Sequence, residues 1–196
     1  MRCWFVVVCV LAVAQPAAAQ LTVNGPQAAW QEVTAAYQRL STLRTYRMKI
    51  RGAGVPAGGI TVEIVNPDRR RTVVPMGQGG FETIVVGKEG RTRTGNGPWQ
   101  CQLAPGSMVG GPGGWPPDPR TAKGEVTVAR LGFATLEGAR TQGYEVVYTP
   151  SANAKPTTIR VFVVQNGGLL RRIEVLDKDE KVAVTVDYYD FNAAIT

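Results

Sequence analysis

The chain has 196 residues, enough for one domain with a sizeable core, and its 22 Lys/Arg against 15 Asp/Glu give a formal net charge of +7. It contains no histidine, which excludes Ser-His-Asp and Cys-His nucleophiles, His-ligated zinc and histidine general-base chemistry in one step.

Met1-Arg2-Cys3 is followed by a mostly apolar run, Trp4 to Ala14, then by Gln15-Pro16 and Ala17-Ala18-Ala19. A short positive start, an apolar segment and an Ala-x-Ala site form the pattern of a secretory signal peptide, here cleaved after Ala19. The run falls short of the roughly 20 residues that a membrane-spanning helix needs. The expectation is an exported protein of residues 20–196, in the periplasm or elsewhere in the cell envelope. Acylation would need a cysteine at the cleavage point, and Cys9 stands inside the apolar segment. Cleavage also removes Cys3 and Cys9, so Cys101 is left without an intramolecular disulfide partner. It reads as a half-buried strand residue beside Trp99.

Asn24-Gly25-Pro26 reads as a helix start, with Asn24 or Gly25 near the cap and Pro26 in the first turn. Trp30, Val33, Tyr37 and Leu40 then recur at helical spacing, predicting one amphipathic helix from Pro26 to about Leu43. From Thr45 the period changes to two. Tyr46, Met48 and Ile50 fall on one side of a strand, and Thr45, Arg47, Lys49 and Arg51 on the other. Strands Ile60–Val65, Arg69–Val74, Phe81–Val86 and Arg91–Thr94 follow, separated by Asn66-Pro67-Asp68 and by Gly-rich turns. Trp99 to Leu103 is a short apolar-polar stretch, and Ala104 to Pro119 is too rich in Gly and Pro for a regular element. That segment, which carries Met108 and Trp115, is expected to be a loop within the domain. Strands Glu125–Leu136, Thr141–Thr149, Thr157–Gln165, Leu169–Leu176 and Lys181–Phe191 complete the chain, with Asn166-Gly167-Gly168 as a strong hairpin turn.

About ten strands spaced roughly ten residues apart suit a barrel, half-barrel or sandwich. With a single helix, the economical α+β, mainly β arrangement is a curved antiparallel sheet, its concave face covered by the helix and the Gly/Pro loop. A concave apolar face under a cover is a site for a hydrophobic ligand. Tyr46, Met48, Ile50, Val62, Ile64, Trp99, Val161 and Val163 are the strand residues expected to line it. Trp30, Val33 and Tyr37 face them from the helix, and Met108 and Trp115 from the loop. The same residues would equally serve a filled core.

Arg44 to Arg71 holds seven Lys/Arg against Glu63 and Asp68. Export and the lack of interleaved aromatic residues argue against nucleic acid, leaving a solvated outer face or attraction to an anionic membrane surface. Asp177, Asp179 and Glu180 are interrupted by Lys178 and followed by Lys181, so they read as a charged hairpin turn rather than a calcium loop. No pair of acids is singled out for catalysis, and no cofactor or metal is implied.

The order of features resembles the LolA-like superfamily, the group of the lipoprotein carrier LolA, the LppX and LprG lipid-binding proteins and the N-terminal domain of RseB. The resemblance rests on Ala28–Leu40 running into Tyr46–Arg51, the Pro67-Asp68-Arg69-Arg70-Arg71 turn and the Glu82–Arg93 hairpin ending at Trp99. Leu136-Glu137-Gly138 leading into Tyr144-Glu145-Val146, and Val161–Leu170 followed by Asp187-Tyr188-Tyr189-Asp190-Phe191, extend it over most of the chain. It implies a half-barrel of roughly eleven strands with a helical lid, a non-enzymatic, monomeric binding protein holding a lipid or a lipoprotein acyl chain. The alternative it implies is an RseB-type domain that reads an envelope partner without a lipid.

Overall fold

The computed structural model describes residues 21–77, 79–103 and 122–195. The expected signal peptide and the segment Ala104 to Pro119, with Met108 and Trp115, lie outside the described residues. A strand β1 (Leu21–Asn24) leads into the helix α1 (Gln27–Thr42). Six strands follow in sequence: β2 (Thr45–Gly52), β3 (Ile60–Val65), β4 (Arg69–Val74), β5 (Phe81–Val86), β6 (Glu89–Thr94) and β7 (Gln100–Leu103). After the intervening segment come β8 (Gly124–Leu136), β9 (Ala139–Thr149), β10 (Thr157–Val164), β11 (Leu170–Leu176) and β12 (Val182–Tyr189).

These strands form one large, curved, open sheet in the order β1-β8-β9-β10-β11-β12-β2-β3-β4-β5-β6-β7. Two antiparallel meanders, β2–β7 and β8–β12, are therefore joined side by side, as tight turns between alternating strands dictate. The seam is the β12–β2 pair, where Val186 lies opposite Ile50 and Tyr188 opposite Met48. β1 adds to the far edge, parallel to β8, with Leu21 opposite Gly124. Three details differ from the sequence expectation. β1 was not foreseen, Pro26 itself is the helix cap, and Cys101 is exposed rather than half-buried.

The helix decides where the core lies. Ala29, Trp30, Val33, Ala36 and Leu40 form its buried face, and its main contacts are with β1, β8, β10 and β11. Beneath it Val126, Val146, Ile159, Val161 and Val186 have no solvent exposure, each such side chain contributing about 1.5–3 kcal/mol by burial. Two polar contacts fix the helix against the sheet. The Asn66 amide after β3 donates to the Leu40 and Leu43 carbonyls at 2.8 and 2.7 Å, satisfying acceptors that a helix end leaves open. Arg39 donates to the Gly168 carbonyl at 3.1 Å in the β10–β11 turn, where Gly167 and Gly168 both take positive φ. No helix among the described residues is long and apolar enough to cross a membrane.

Candidate functional site

The strand register continues the inner, helix-facing side of the sheet from the C-terminal meander across the seam into β2–β6. Tyr188 and Val186 belong to the buried core, and Tyr46, Met48 and Ile50 of β2 pack against its border. Pairing then carries the same face outward in three rows. Met48 lies opposite Val62, Val62 opposite Thr72, Thr72 opposite Thr83 and Thr83 opposite Thr92. On one side of this row run Tyr46, Ile64, Arg70 and Val85, each opposite the next. On the other side Ile50 faces Ile60, and Val74 faces Phe81. Val62, Val85 and Thr92 are buried, and Ile60, Ile64, Val74 and Phe81 are half-buried. None of these seven belongs to the core under α1.

The residues expected to line a cavity thus separate. Trp30, Val33, Val161 and Val163 are buried within the packed core, with Tyr37 against it. Val62 and Ile64 lie on the face beyond the main contacts of the helix, and Tyr46, Met48 and Ile50 mark the boundary. Trp99 does not join them. It is 38% exposed, and the Arg93 guanidinium stands 4.6 Å over its ring. Arg93 pairs with Glu82, which alternation puts on the opposite face from Phe81 and Thr83.

That outer face is an ion-pair ladder. Arg47 bonds Asp190 at 2.7 Å and Glu63 at 2.9 Å, and Arg71 joins Glu63, at 3.1 Å, to Glu82. Arg51 pairs with Asp187, which also holds Arg172 at 2.6 Å. Burial pushes the Glu82 carboxyl up, but hydrogen bonds from Arg71 and Arg93 together outweigh it and hold the group below its ordinary range. Several cations read from sequence as a basic face are therefore matched by carboxylates. The Asp177 turn is also explained locally, since its carboxylate accepts from the Asp179 and Lys181 amides at 2.8 and 3.0 Å.

Sequence reasoning missed the polar groups of the inner face. Arg70 was read as part of a basic turn, although the tight Asn66–Asp68 connection places it opposite inward-facing Ile64. Carrying the Tyr46–Ile50 alternation through that hairpin would have found it, and the three threonines with it. A second polar feature lies at the seam. The Tyr37 hydroxyl oxygen is enclosed without a hydrogen-bond partner, although its ring as a whole is only half-buried. Burial first, and the nearby Tyr188 second, raise its pKa well above the usual tyrosine value. The Tyr188 ring lies 6.3 Å from that of Tyr46. Finally, Met76, Gly79, Gly80, Phe81, Thr94 and Gly95 surround a depression of about 360 Å³ at the β4–β5 end of the inner face. No group of three or more His, Cys, Asp or Glu side chains among the described residues could hold a metal ion.

Among the described residues, the open, curved sheet, antiparallel except for β1, with one long helix across part of one face, has a LolA-like fold. Among solved structures, the chain is similar to the Mycobacterium tuberculosis lipoprotein LppX, at 14% identity and a TM-score of 0.61 over 88% of this chain and 99% of that one. It is also similar to an uncharacterized conserved protein of Thermus thermophilus, at 14% identity and a TM-score of 0.50 over 87% and 90% of the two chains. Identities this low speak to the fold alone. No family model matches the chain, and no curated protein matches it by sequence.

Proposed function

We propose that this is an exported, non-enzymatic binding protein of the cell envelope that holds a lipid or lipoprotein acyl chain against the inner face of β2–β6. The observation that carries the reading is the division of the helix-facing side of the sheet. The helix closes the C-terminal meander into a packed core, while Val62, Ile64, Val74, Phe81 and Val85 form a second apolar surface outside it. Apolar area arranged on a concave sheet and continuous with an apolar depression is what an acyl chain requires. In this reading residues 20–196 act as one domain, and Trp30, Val33, Val161 and Val163 provide the rigid wall behind the ligand.

Mass spectrometry of the natively purified, processed protein tests this directly. A co-purifying acyl lipid is expected, and Met48→Arg should abolish it, because a cation at the border of the apolar face has no compensating partner there. Urea unfolding of the same variant shows whether it folds. A folded parent that carries no lipid and takes up none from mixed envelope lipids would refute the reading. Retention of a specific envelope protein by both parent and Met48→Arg would instead favour an interaction domain.

A further inference from the structure

The two ends of the N-terminal meander differ in chemistry. Three connections, residues 52–59, 75–80 and 95–98, share the end where Ile50 lies opposite Ile60, Val74 opposite Phe81 and Phe81 opposite Thr94. None of the three contains Asp, Glu, Lys or Arg. At the opposite end the turns and strand starts carry Arg44, Asp68, Arg69, Lys88 and Glu89. The uncharged connections touch one another. A Cβ at Gly58 would meet the Pro75 ring at 2.8 Å, and one at Gly79 would meet the Gly95 Cα at 2.5 Å, so glycine is needed where they meet. The Gly95 amide also donates to the Gly80 carbonyl at 2.8 Å. Met76 stands on this continuous rim, 59% exposed, beside the depression that it lines with Phe81, Thr94 and Gly95. Behind the rim, a Cβ at Gly59 would meet the Lys49 and Arg51 side chains, each at 3.1 Å. We propose that the rim is a membrane-docking surface, with Met76 entering the acyl boundary of a bilayer that contains anionic lipid and Lys49 at the level of its head groups.

A bilayer fits the rim better than a protein partner on three counts. Protein interfaces are anchored mainly by Trp, Tyr and Arg, and the three connections hold none of these. Trp99, which follows the third, lies over Arg93 on the outer face. A lipid interface, by contrast, needs an exposed apolar group with cations set back from it. Met76 is the apolar group. Arg51 is paired with Asp187, and Lys49 makes no ion pair among the described residues, which makes Lys49 the cation available to a lipid phosphate. Exposed loop amides are costly in hydrocarbon, so the glycines stay in the hydrated head-group layer and Met76 goes deeper. Third, the rim borders the depression that continues the apolar inner face. A chain passing between that face and a bilayer then avoids crossing water.

This role in transfer rests on the proposed function, and the test separates the two. Delipidated, processed protein is sedimented with vesicles of phosphatidylcholine and phosphatidylglycerol in equal parts. The parent should cosediment. Met76→Glu should weaken binding roughly tenfold, the scale of one apolar side chain returned to water. Lys49→Gln should weaken it about fivefold, a loss absent on phosphatidylcholine alone. Val86 is 45% exposed at the other end of β5, five residues or about 17 Å from Phe81. Val86→Glu adds the same charge beyond the screening length and should stay within about twofold of the parent. Melting temperatures show that each variant is folded. In Met76→Trp, lipid brominated on its acyl chains should quench the added fluorescence. No cosedimentation of the parent, an equal loss in Val86→Glu, or an unquenched Met76→Trp overturns the inference. So does a dimer in sedimentation equilibrium that Met76→Glu dissociates, which assigns the rim to a second copy. Palmitate titrated by calorimetry without vesicles reports on the proposed function alone, and its binding beside any of those results leaves that function standing. Cosedimentation by a protein that binds no palmitate keeps the docking surface and removes its role in transfer.

Discussion

The division of the sheet into a half packed under α1 and a half that the proposed function assigns to the ligand predicts that one substitution, made on each half, will have unequal consequences. Ile159 of β10 has no exposure and sits beneath α1, whereas Ile64 of β3 is half-buried and outside that core. Ile159→Ala removes buried carbon and leaves an enclosed void, at a cost of about 2–5 kcal/mol. Ile64→Ala removes the same atoms from a half-solvated position. Counting about 0.8 kcal/mol for each fully buried methylene and halving for exposure gives about 1 kcal/mol, with no term for an enclosed cavity. For a chain of this size each kcal/mol moves the melting temperature by about 2–4 °C. Ile159→Ala should therefore lower it by roughly 4–20 °C and Ile64→Ala by only about 2–4 °C. Urea unfolding gives the free energies, and palmitate titration gives the second readout. Ile64→Ala should lose affinity, while Ile159→Ala should keep it at temperatures where it is folded. Equal destabilisation by the two substitutions would mean that the β3 face is ordinary core, and the reasoning would fail.

Asn66→Ala should cost about 1–2 kcal/mol in urea unfolding, because the Leu40 and Leu43 carbonyls lose their shared donor. Glu82→Gln should lower stability by about 0.5–1 kcal/mol at neutral pH. The folded-state pKa of Glu82 lies below its ordinary value of 4.5, so its contribution is whole above that value and disappears as pH falls through the lower one. Unfolding curves of parent and Glu82→Gln should accordingly converge in acid, and a constant gap down to acid pH would contradict the ion-pair account. Trp99→Ala should cost at most about 1 kcal/mol, the scale of an exposed cation–π contact. It should leave palmitate affinity unchanged, because its ring lies over Arg93 on the outer face.

The helix and the hairpins were legible because each rests on a local signal. Trp30, Val33 and Leu40 recur at helical spacing, and Asn166-Gly167-Gly168 supplies the positive φ values that its turn takes. β1 carries no comparable signal. It spans only Leu21–Asn24, and its parallel partner β8 begins at Gly124, far along the chain. Trp99 was misplaced because it precedes β7 by one residue, where alternation no longer fixes direction and the Arg93 cation decides. The division of the site was hidden for a different reason. Val161 and Val62 both take inward positions of alternating strands, and the landing place of α1 makes one of them core and leaves the other on the second face. Such a distinction lies in tertiary packing, beyond the reach of periodicity.

Among the described residues no helix packs on the N-terminal meander, and the outer ladder bears on how that meander holds together. A sheet face at half burial gains only part of the hydrophobic stabilisation that a core provides. β2–β6 must therefore draw more of their cohesion from backbone pairing and from the other face. There Arg47, Glu63, Arg71, Glu82 and Arg93 alternate in sign across successive strands. Each pair contributes modestly alone, but the series favours the register in which Glu63 and Glu82 each meet two arginines. Register held from outside allows the inner face to remain incomplete in the free protein. In the proposed function an acyl chain laid on it supplies the missing apolar contacts, and a ligand that binds only the folded form would stabilise that form by about 2.7 kcal/mol at a hundred times its dissociation constant. Among the described residues no helix packs over this meander, so its inner face, and not the packed volume under α1, is the place to look for a ligand.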